Sequence, residues 1–173
     1  MMVDVVLCLG SNLGDRAANM REMEQGLDRL LMPPVIRSRL METEPLGVTA
    51  DHPWYYNRLV RGRFDGTPRE LLKKCRNIEN DLGRTRPEKY APRTADIDIL
   101  LFGDQVINEK DLIIPHRHIT DRRFCLDGLQ EIAGGWKVPG LLKTAGELIK
   151  ETGAEVREQT IRYVKLQNDD FVS

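Results

Sequence analysis

The chain has 173 residues, 40% of them hydrophobic, with a formal net charge of -1. That length suits one domain with a real core, and the balanced charge gives no global reason to expect nucleic acid or an anionic membrane surface as partner. No apolar run approaches the roughly 20 residues that a membrane-spanning helix needs, and the opening MMVDVVLCLG lacks a basic region and a cleavage-like site.

Residues 2–9 are β-branched and apolar and read as a buried first strand, stopped by Gly10-Ser11-Asn12. Met20, Met23, Leu27, Leu30 and Leu31 then recur at helical spacing, with Asp15 or Asn12 near the helix start and Pro33-Pro34 as its end. Residues 35–42 are expected to form a second strand, and a long loop leads to a third, YYNRLVRGRF. Thr67-Pro-Arg-Glu70 is a capping box with proline at the first helical position. Leu71, Cys75, Ile78 and Leu82 give that second helix its apolar stripe, and Gly83 ends it. After an arginine-rich loop, TADIDILLFG predicts a fourth strand, and Gly103-Asp104 predicts a hairpin in which QVIN pairs back. Helices over 121–133 and 144–152 and a closing strand within VREQTIRYVKLQ complete the reading.

The order β-α-β-β-α-β predicts an α+β, ferredoxin-like fold, an antiparallel sheet with helices on one face, with extra C-terminal elements in the same single domain over 1–173. The three cysteines, Cys8, Cys75 and Cys125, sit far apart among apolar neighbours. They fit reduced core thiols of a cytoplasmic protein better than a disulfide framework or a structural zinc site.

The sharpest chemical signal is Asp96-Ile97-Asp98. Alternation on a strand sends both carboxylates to one face, with Ala95, Ile97, Ile99 and Leu101 turned into the core. Two neighbouring anions repel unless a cation lies between them, and paired hard oxygens suit Mg²⁺ that also binds substrate phosphates. Arg84, Arg86, Lys89 and Arg93 lie just upstream, after a helix bearing Lys73, Lys74 and Arg76. So dense a basic cluster in a near-neutral chain implies a local polyanion, although a solvated basic loop would have the same composition. Charge supports the phosphate reading: ATP brings roughly -4, two Mg²⁺ ions +4 and two aspartates -2, leaving about -2 for side chains to neutralise. His116, Arg117, His118, Asp121, Arg122 and Arg123 follow the hairpin and supply further cations and imidazoles. Trp54, Tyr55 and Asn57 offer stacking surfaces and an amide for a flat heterocycle, or equally packing at a strand start. The Gly10–Arg16 turn lacks the lysine of a phosphate-binding loop and is expected only to shape the strand-to-helix junction.

Taken together, LGSNLGDR (9–16), T-x-PLG (43–47), Pro53 to Asn57, IE-x-x-LGR-x-R (78–86), PRTADIDILLFG (92–103), IPH (114–116) and R-x-F (122–124) resemble the 6-hydroxymethyl-7,8-dihydropterin pyrophosphokinase family. The resemblance covers about residues 5–133 in order. It implies diphosphate transfer from ATP to the pterin hydroxymethyl group, with two Mg²⁺ ions, release of AMP and a place in folate biosynthesis. It implies that Asp96 and Asp98 are the metal ligands and that Arg84 and Arg93 steady the phosphates. Glu79, Arg86, Lys89, Tyr90, His116 and Arg122 would surround the nucleotide, and Thr43, Leu46, Tyr55, Asn57 and Phe124 would form the pterin pocket. Glu44, Tyr90, Arg117 and Gly128 differ from the family's pattern. The expected partners are small molecules, without nucleic acid or membrane, and the expected state is a monomer. Two other classes fit parts of the sequence. A palm-like nucleotidyltransferase would need a further carboxylate on a neighbouring strand, and a ferredoxin-like RNA-binding module would need an aromatic strand, which is absent.

Overall fold

The computed structural model describes residues 1–47, 52–83 and 94–166. In chain order the elements are β1 (Met2–Ser11), α1 (Arg16–Leu30), β2 (Met32–Arg37), β3 (Leu40–Thr43), β4 (Tyr55–Asp65), α2 (Pro68–Asp81) and β5 (Asp96–Phe102). They continue with β6 (Ile107–Glu109), β7 (Leu112–Ile114), α3 (Arg123–Ala133), α4 (Ala145–Glu151), α5 (Ala154–Arg157) and β8 (Ile161–Val164).

The main sheet runs β5-β1-β4-β3-β8, with β2 also paired to β4, and its pairings are all antiparallel. Counting β2 and β3 as one interrupted strand, this is the ferredoxin-like order that β-α-β-β-α-β predicts. The interruption falls at Ser38-Arg39. Ser38 is fully buried there, donating its backbone N–H to Leu59 O and accepting the Leu59 N–H on its hydroxyl, so the polar break is satisfied inside the sheet.

Both predicted helix starts are capped as their sequences suggest. Asp15 accepts the Ala18 N–H at the head of α1. Thr67 and Glu70 close the reciprocal capping box of α2, and Gly83, at φ +76°, follows the end of that helix. The α1 pattern buries Met20, Met23 and Leu27, and α2 buries Leu71 and Cys75, against the sheet face that carries Val5, Leu7, Leu9, Ile97 and Ile99.

The second face is not open, as helices on one side alone would leave it. α3, α4 and α5 cover it with Phe124, Cys125, Leu129, Ile132, Leu148 and Val156, packed on Val6, Cys8, Met41 and Leu59. Residues after Ala133 contribute Val138, Ala145, Leu148 and Val156 to this second core, and β8 lengthens the sheet beyond β3. α3 reaches the sheet through Gly128, where a Cβ would stand 2.8 Å from the Leu59 methyl carbons. A bulkier residue would lift the helix off β4.

Two expectations are corrected. Leu101 does not share the face of Ile97 and Ile99. Leu7 pairs with Ile99 and Val6 with Leu101, so Leu100 is an extra residue in the ladder, and this bulge turns Leu101 onto the α3 face. The segment after Gly103-Asp104 does not pair back onto β5. Gly103 instead bonds to Asp4 O, and β6 pairs with β7 in a separate two-stranded sheet. Among the described residues no helix is long and apolar enough to cross a membrane.

A buried ion pair ties α1 to the strand that carries Asn57. Glu24 accepts from Arg58 Nη1 and from Arg37 Nε, each at 3.0 Å, and Arg58 is 3% exposed. Removing the carboxylate leaves a buried guanidinium undercompensated, so Glu24→Ala is expected to cost about 3 kcal/mol in a urea unfolding titration. A loss below about 1 kcal/mol would show that this pair does not anchor α1.

Candidate functional site

One face of the sheet becomes polar at the ends of four neighbouring strands. The registers align Gly10 of β1 with Asp96 of β5 on one side and with Asn57 of β4 on the other, while Cys8 lies opposite Asp98. Thr43 of β3 pairs with Tyr55. Because side chains alternate along each strand, Cys8, Gly10, Asn57, Tyr55, Thr43, Asp96 and Asp98 all reach one surface. That surface is the α3 face, just beyond the apolar cluster.

A cleft of about 260 Å³ stands on this floor. Thr43, Leu46, Tyr55, Asn57 and Phe124 line it together with Asp96, Asp98, His116 and Arg122. The strand order puts Thr43, Tyr55 and Asn57 on its β3–β4 side, and Asp98 with His116 and Arg122 on its β5 side. The site residues expected on the strands and on the 114–124 segment are thus brought together. Arg84, Arg86, Lys89, Tyr90 and Arg93 lie outside the described residues. Glu79 stands apart from the lining. It shares the buried stripe of α2 with Leu71 and Cys75 and accepts the Ile97 N–H at 3.1 Å, the amide between the two aspartates. Its carboxylate therefore bears on the site through the backbone of β5.

Each wall is fixed by its own bonds. Asn57 donates from Nδ2 to Thr43 Oγ1 at 2.6 Å, which leaves its carbonyl oxygen turned toward Gly10. A Cβ on Gly10 would lie 2.9 Å from that oxygen and 3.5 Å from Tyr55 Cδ1. Gly10 is thus a strand residue and part of the cleft floor, not a turn former. The turn begins later, at Gly14, with φ +72°. Neither Cys8 nor Gly10 announces itself in the sequence, because their place depends on register with two distant strands. His52, which also lines the cleft, had no neighbouring pattern to mark it.

On the opposite wall, His116 hangs from β5 by its backbone N–H, which donates to Leu100 O at 3.0 Å. Its Nδ1 accepts the His118 N–H at 3.2 Å, which leaves the proton on Nε2, 3.8 Å from Asp98 Oδ2. Arg122 Nη1 is 3.9 Å from the same oxygen. Burial, then the positive field of Arg122 and the neighbouring His118, push the His116 pKa down to about 4. At neutral pH it is an uncharged N–H donor facing the cleft. The Cys8 thiol is pushed the other way, raised by its hydrogen bond with Cys125 and by burial. All three cysteines are buried free thiols.

The donor set fits Mg²⁺ that shares its shell with a ligand. Among the described residues no three His, Cys, Asp or Glu side chains gather into a closed metal cage. Two carboxylates on one strand face, one of them 30% exposed, suit a hard cation that keeps water and takes phosphate oxygens.

A sequence model described as 7,8-dihydro-6-hydroxymethylpterin-pyrophosphokinase matches residues 6–134. The 2-amino-4-hydroxy-6-hydroxymethyldihydropteridine pyrophosphokinase of Bacillus subtilis is 36% identical over 170 residues, covering 96% of this chain and 94% of that protein. The protein of the same name from Methylorubrum extorquens is 35% identical, covering 95% and 100%. The mitochondrial folate synthesis bifunctional protein of Arabidopsis thaliana is 40% identical over 131 residues, and the chain spans only 24% of its length. Among solved structures, wild-type Plasmodium falciparum HPPK-DHPS with pteroate is similar in fold, with a TM-score of 0.68 at 19% identity, covering 87% of this chain and 42% of that one.

Two outcomes are expected at this site. Gly10→Ala forces the Asn57 amide away from Thr43 and should weaken binding of a flat heterocycle by about tenfold, read by equilibrium titration with a pterin; unchanged affinity would remove Gly10 from the floor. The second concerns pH. The unfolded imidazole titrates near 6.5 and the folded one near 4, so between these values the unfolded chain holds more protons and stability falls as the pH drops. In His116→Asn that part of the fall should vanish when urea midpoints at pH 7 and pH 5 are compared.

Proposed function

The chain belongs to the 7,8-dihydro-6-hydroxymethylpterin-pyrophosphokinase family, and on that premise we propose that its cleft binds ATP and 6-hydroxymethyl-7,8-dihydropterin and moves diphosphate from one to the other. The observation that carries this reading is the division of a single cleft into an amide-and-aromatic wall and a carboxylate-and-cation wall. The first wall fits a pterin: Asn57 meets its polar edge, and Tyr55 and Phe124 offer ring faces. The second fits a polyphosphate: Arg122 supplies charge and neutral His116 an N–H donor, beside two carboxylates for Mg²⁺.

In the proposed reaction the hydroxymethyl oxygen forms a bond to the β-phosphorus of ATP. The bond from that phosphorus to the α,β-bridging oxygen breaks, AMP departs with that oxygen, and the hydroxyl proton passes to water. Mg²⁺ held by Asp96 and Asp98 would neutralise phosphate charge and polarise the phosphoryl oxygens. The chain's own contribution is positioning and electrostatics. Asn57, held by Thr43, fixes the pterin edge, and Glu79 steadies the β5 backbone between the aspartates. Arg122 and the His116 N–H accommodate phosphate oxygens next to Asp98. Arg84 and Arg93 belong to the same proposal through their match to the family's loop arginines, as do Arg86, Lys89 and Tyr90 as nucleotide contacts.

The nucleotidyltransferase alternative is less well supported. On the cleft face the strand neighbours of Asp96 and Asp98 are Gly10 and Cys8, so the adjoining strand offers no further carboxylate there. An RNA-binding sheet would need this face bare for bases, whereas α3 packs across it.

The test is a product assay with protein, ATP, Mg²⁺ and 6-hydroxymethyl-7,8-dihydropterin. AMP should form only with the pterin present, together with a diphosphorylated pterin. ADP would mean single phosphoryl transfer, and AMP without pterin would mean hydrolysis. Asp98→Asn should lower turnover by about 10²–10³ with the near-ultraviolet circular dichroism unchanged. A rate like that of the unaltered protein would take Asp98 out of the reaction.

A further inference from the structure

The cleft is lined from separate parts of the chain, among them β3 and β4 on the pterin side and the 116–124 segment that carries His116, Arg122 and Phe124. One short stretch near the C-terminus touches both. At one end, Thr160 donates its backbone N–H to Glu44 Oε1 at 3.0 Å, beside Thr43 and Leu46. Ile161 then pairs with Thr43 as β8 begins. At the other end, Gln159 grips the entrance of α3. Its Nε2 donates to Asp121 O at 2.8 Å, and its Oε1 accepts the Arg123 N–H at 2.9 Å. Arg123 returns the contact, donating from Nη1 to Gln159 O at 3.0 Å.

The Gln159 contact answers a local deficiency. Arg122 occupies the N-cap of α3 and makes no side-chain cap bond, since a guanidinium carries no acceptor. The first N–H groups of a helix have no partner within it. Gln159 supplies the missing acceptor from 36 residues away, at Arg123, the residue between Arg122 and Phe124. Both of those neighbours line the cleft.

We propose that Gln159 is a positioning residue for diphosphate transfer: by capping α3 in trans and bridging to Glu44 through Thr160, it sets Arg122 and Phe124 at their working distance from β3 and β4. The inference rests on the pyrophosphokinase reading of the cleft. It gives a function to residues beyond the matched 6–134 region. It also gives Glu44 a purpose, since its side-chain oxygen is the acceptor that anchors the stretch to the end of β3.

The experiment compares the unaltered protein with Gln159→Ala and Gln159→Glu. Steady-state rates are measured for both substrates, together with hydrogen–deuterium exchange across residues 120–126 and urea midpoints. Gln159→Ala should lose about fivefold in kcat/KM, the worth of roughly one net hydrogen bond, with faster exchange at the start of α3. The loss should persist under conditions where the variant is fully folded. Gln159→Glu keeps the acceptor for Arg123 but loses the donor to Asp121 O, so it should recover only part of the loss. Rates within twofold of the unaltered protein, or exchange at α3 unchanged by Gln159→Ala, would overturn the proposal. If the unaltered protein forms no AMP, the reaction reading fails instead, and the exchange data still decide whether Gln159 holds α3.

Discussion

Everything at the cleft depends on β1 having a strand hydrogen-bonded along each edge. From Val5 to Gly10 it is paired to β4 on one side and β5 on the other, and Val5, Val6, Leu7 and Leu9 are fully buried. A strand so enclosed cannot slip by one residue without turning its apolar set inside out on both faces. Its register therefore fixes, in one stroke, the lateral distance between the Asp96–Asp98 pair on one neighbour and Asn57 on the other. Gly10 is where that separation is set, because any side chain there would fill the gap that a ligand must use.

The two layers of helices divide the work. α1 and α2 pack the face remote from the cleft and hold the strands from behind, the Glu24–Arg58 pair and the Glu79–Ile97 bond being their polar fastenings. α3 covers the near face but begins at Arg123, so the sheet surface beyond its first turn stays open to a ligand. The cleft is thus the part of the sheet that only the first turn of α3 reaches, through Phe124. Its chemistry differs from the cores for that reason: it is the place where strand side chains can be polar without being stranded among methyl groups.

Much of this was legible in the sequence because its signals are local. A capping box, an aspartate cap and an alternating D-I-D run carry their geometry within a few residues, and Thr67, Asp15, Asp96 and Asp98 stand as their patterns predict. What sequence could not give depends on partners far along the chain. The place of Gly10 and Cys8 in the floor requires the register of β1 against β4 and β5. Leu101 changes face because one residue of β5 bulges, and an alternating pattern contains no sign of where a ladder will skip. β6 pairs with β7, and Gly103 bonds to Asp4 O, a partner on β1 that the local hairpin signal does not reveal. The second core was hidden because α3, α4 and α5 become interpretable only once the face they cover is known.

Cys8 has a consequence for ligand chemistry. It lines the cleft floor opposite Asp98, within the space open to a ligand. Yet the thiol shares a hydrogen bond with Cys125 and is buried, and both keep it protonated well above neutrality. The thiolate is the species that attacks. A covalent inhibitor aimed at this cysteine would therefore gain proximity without reactivity, and the sulfur is better used as a soft, polarisable contact for the face of a heteroaromatic ring.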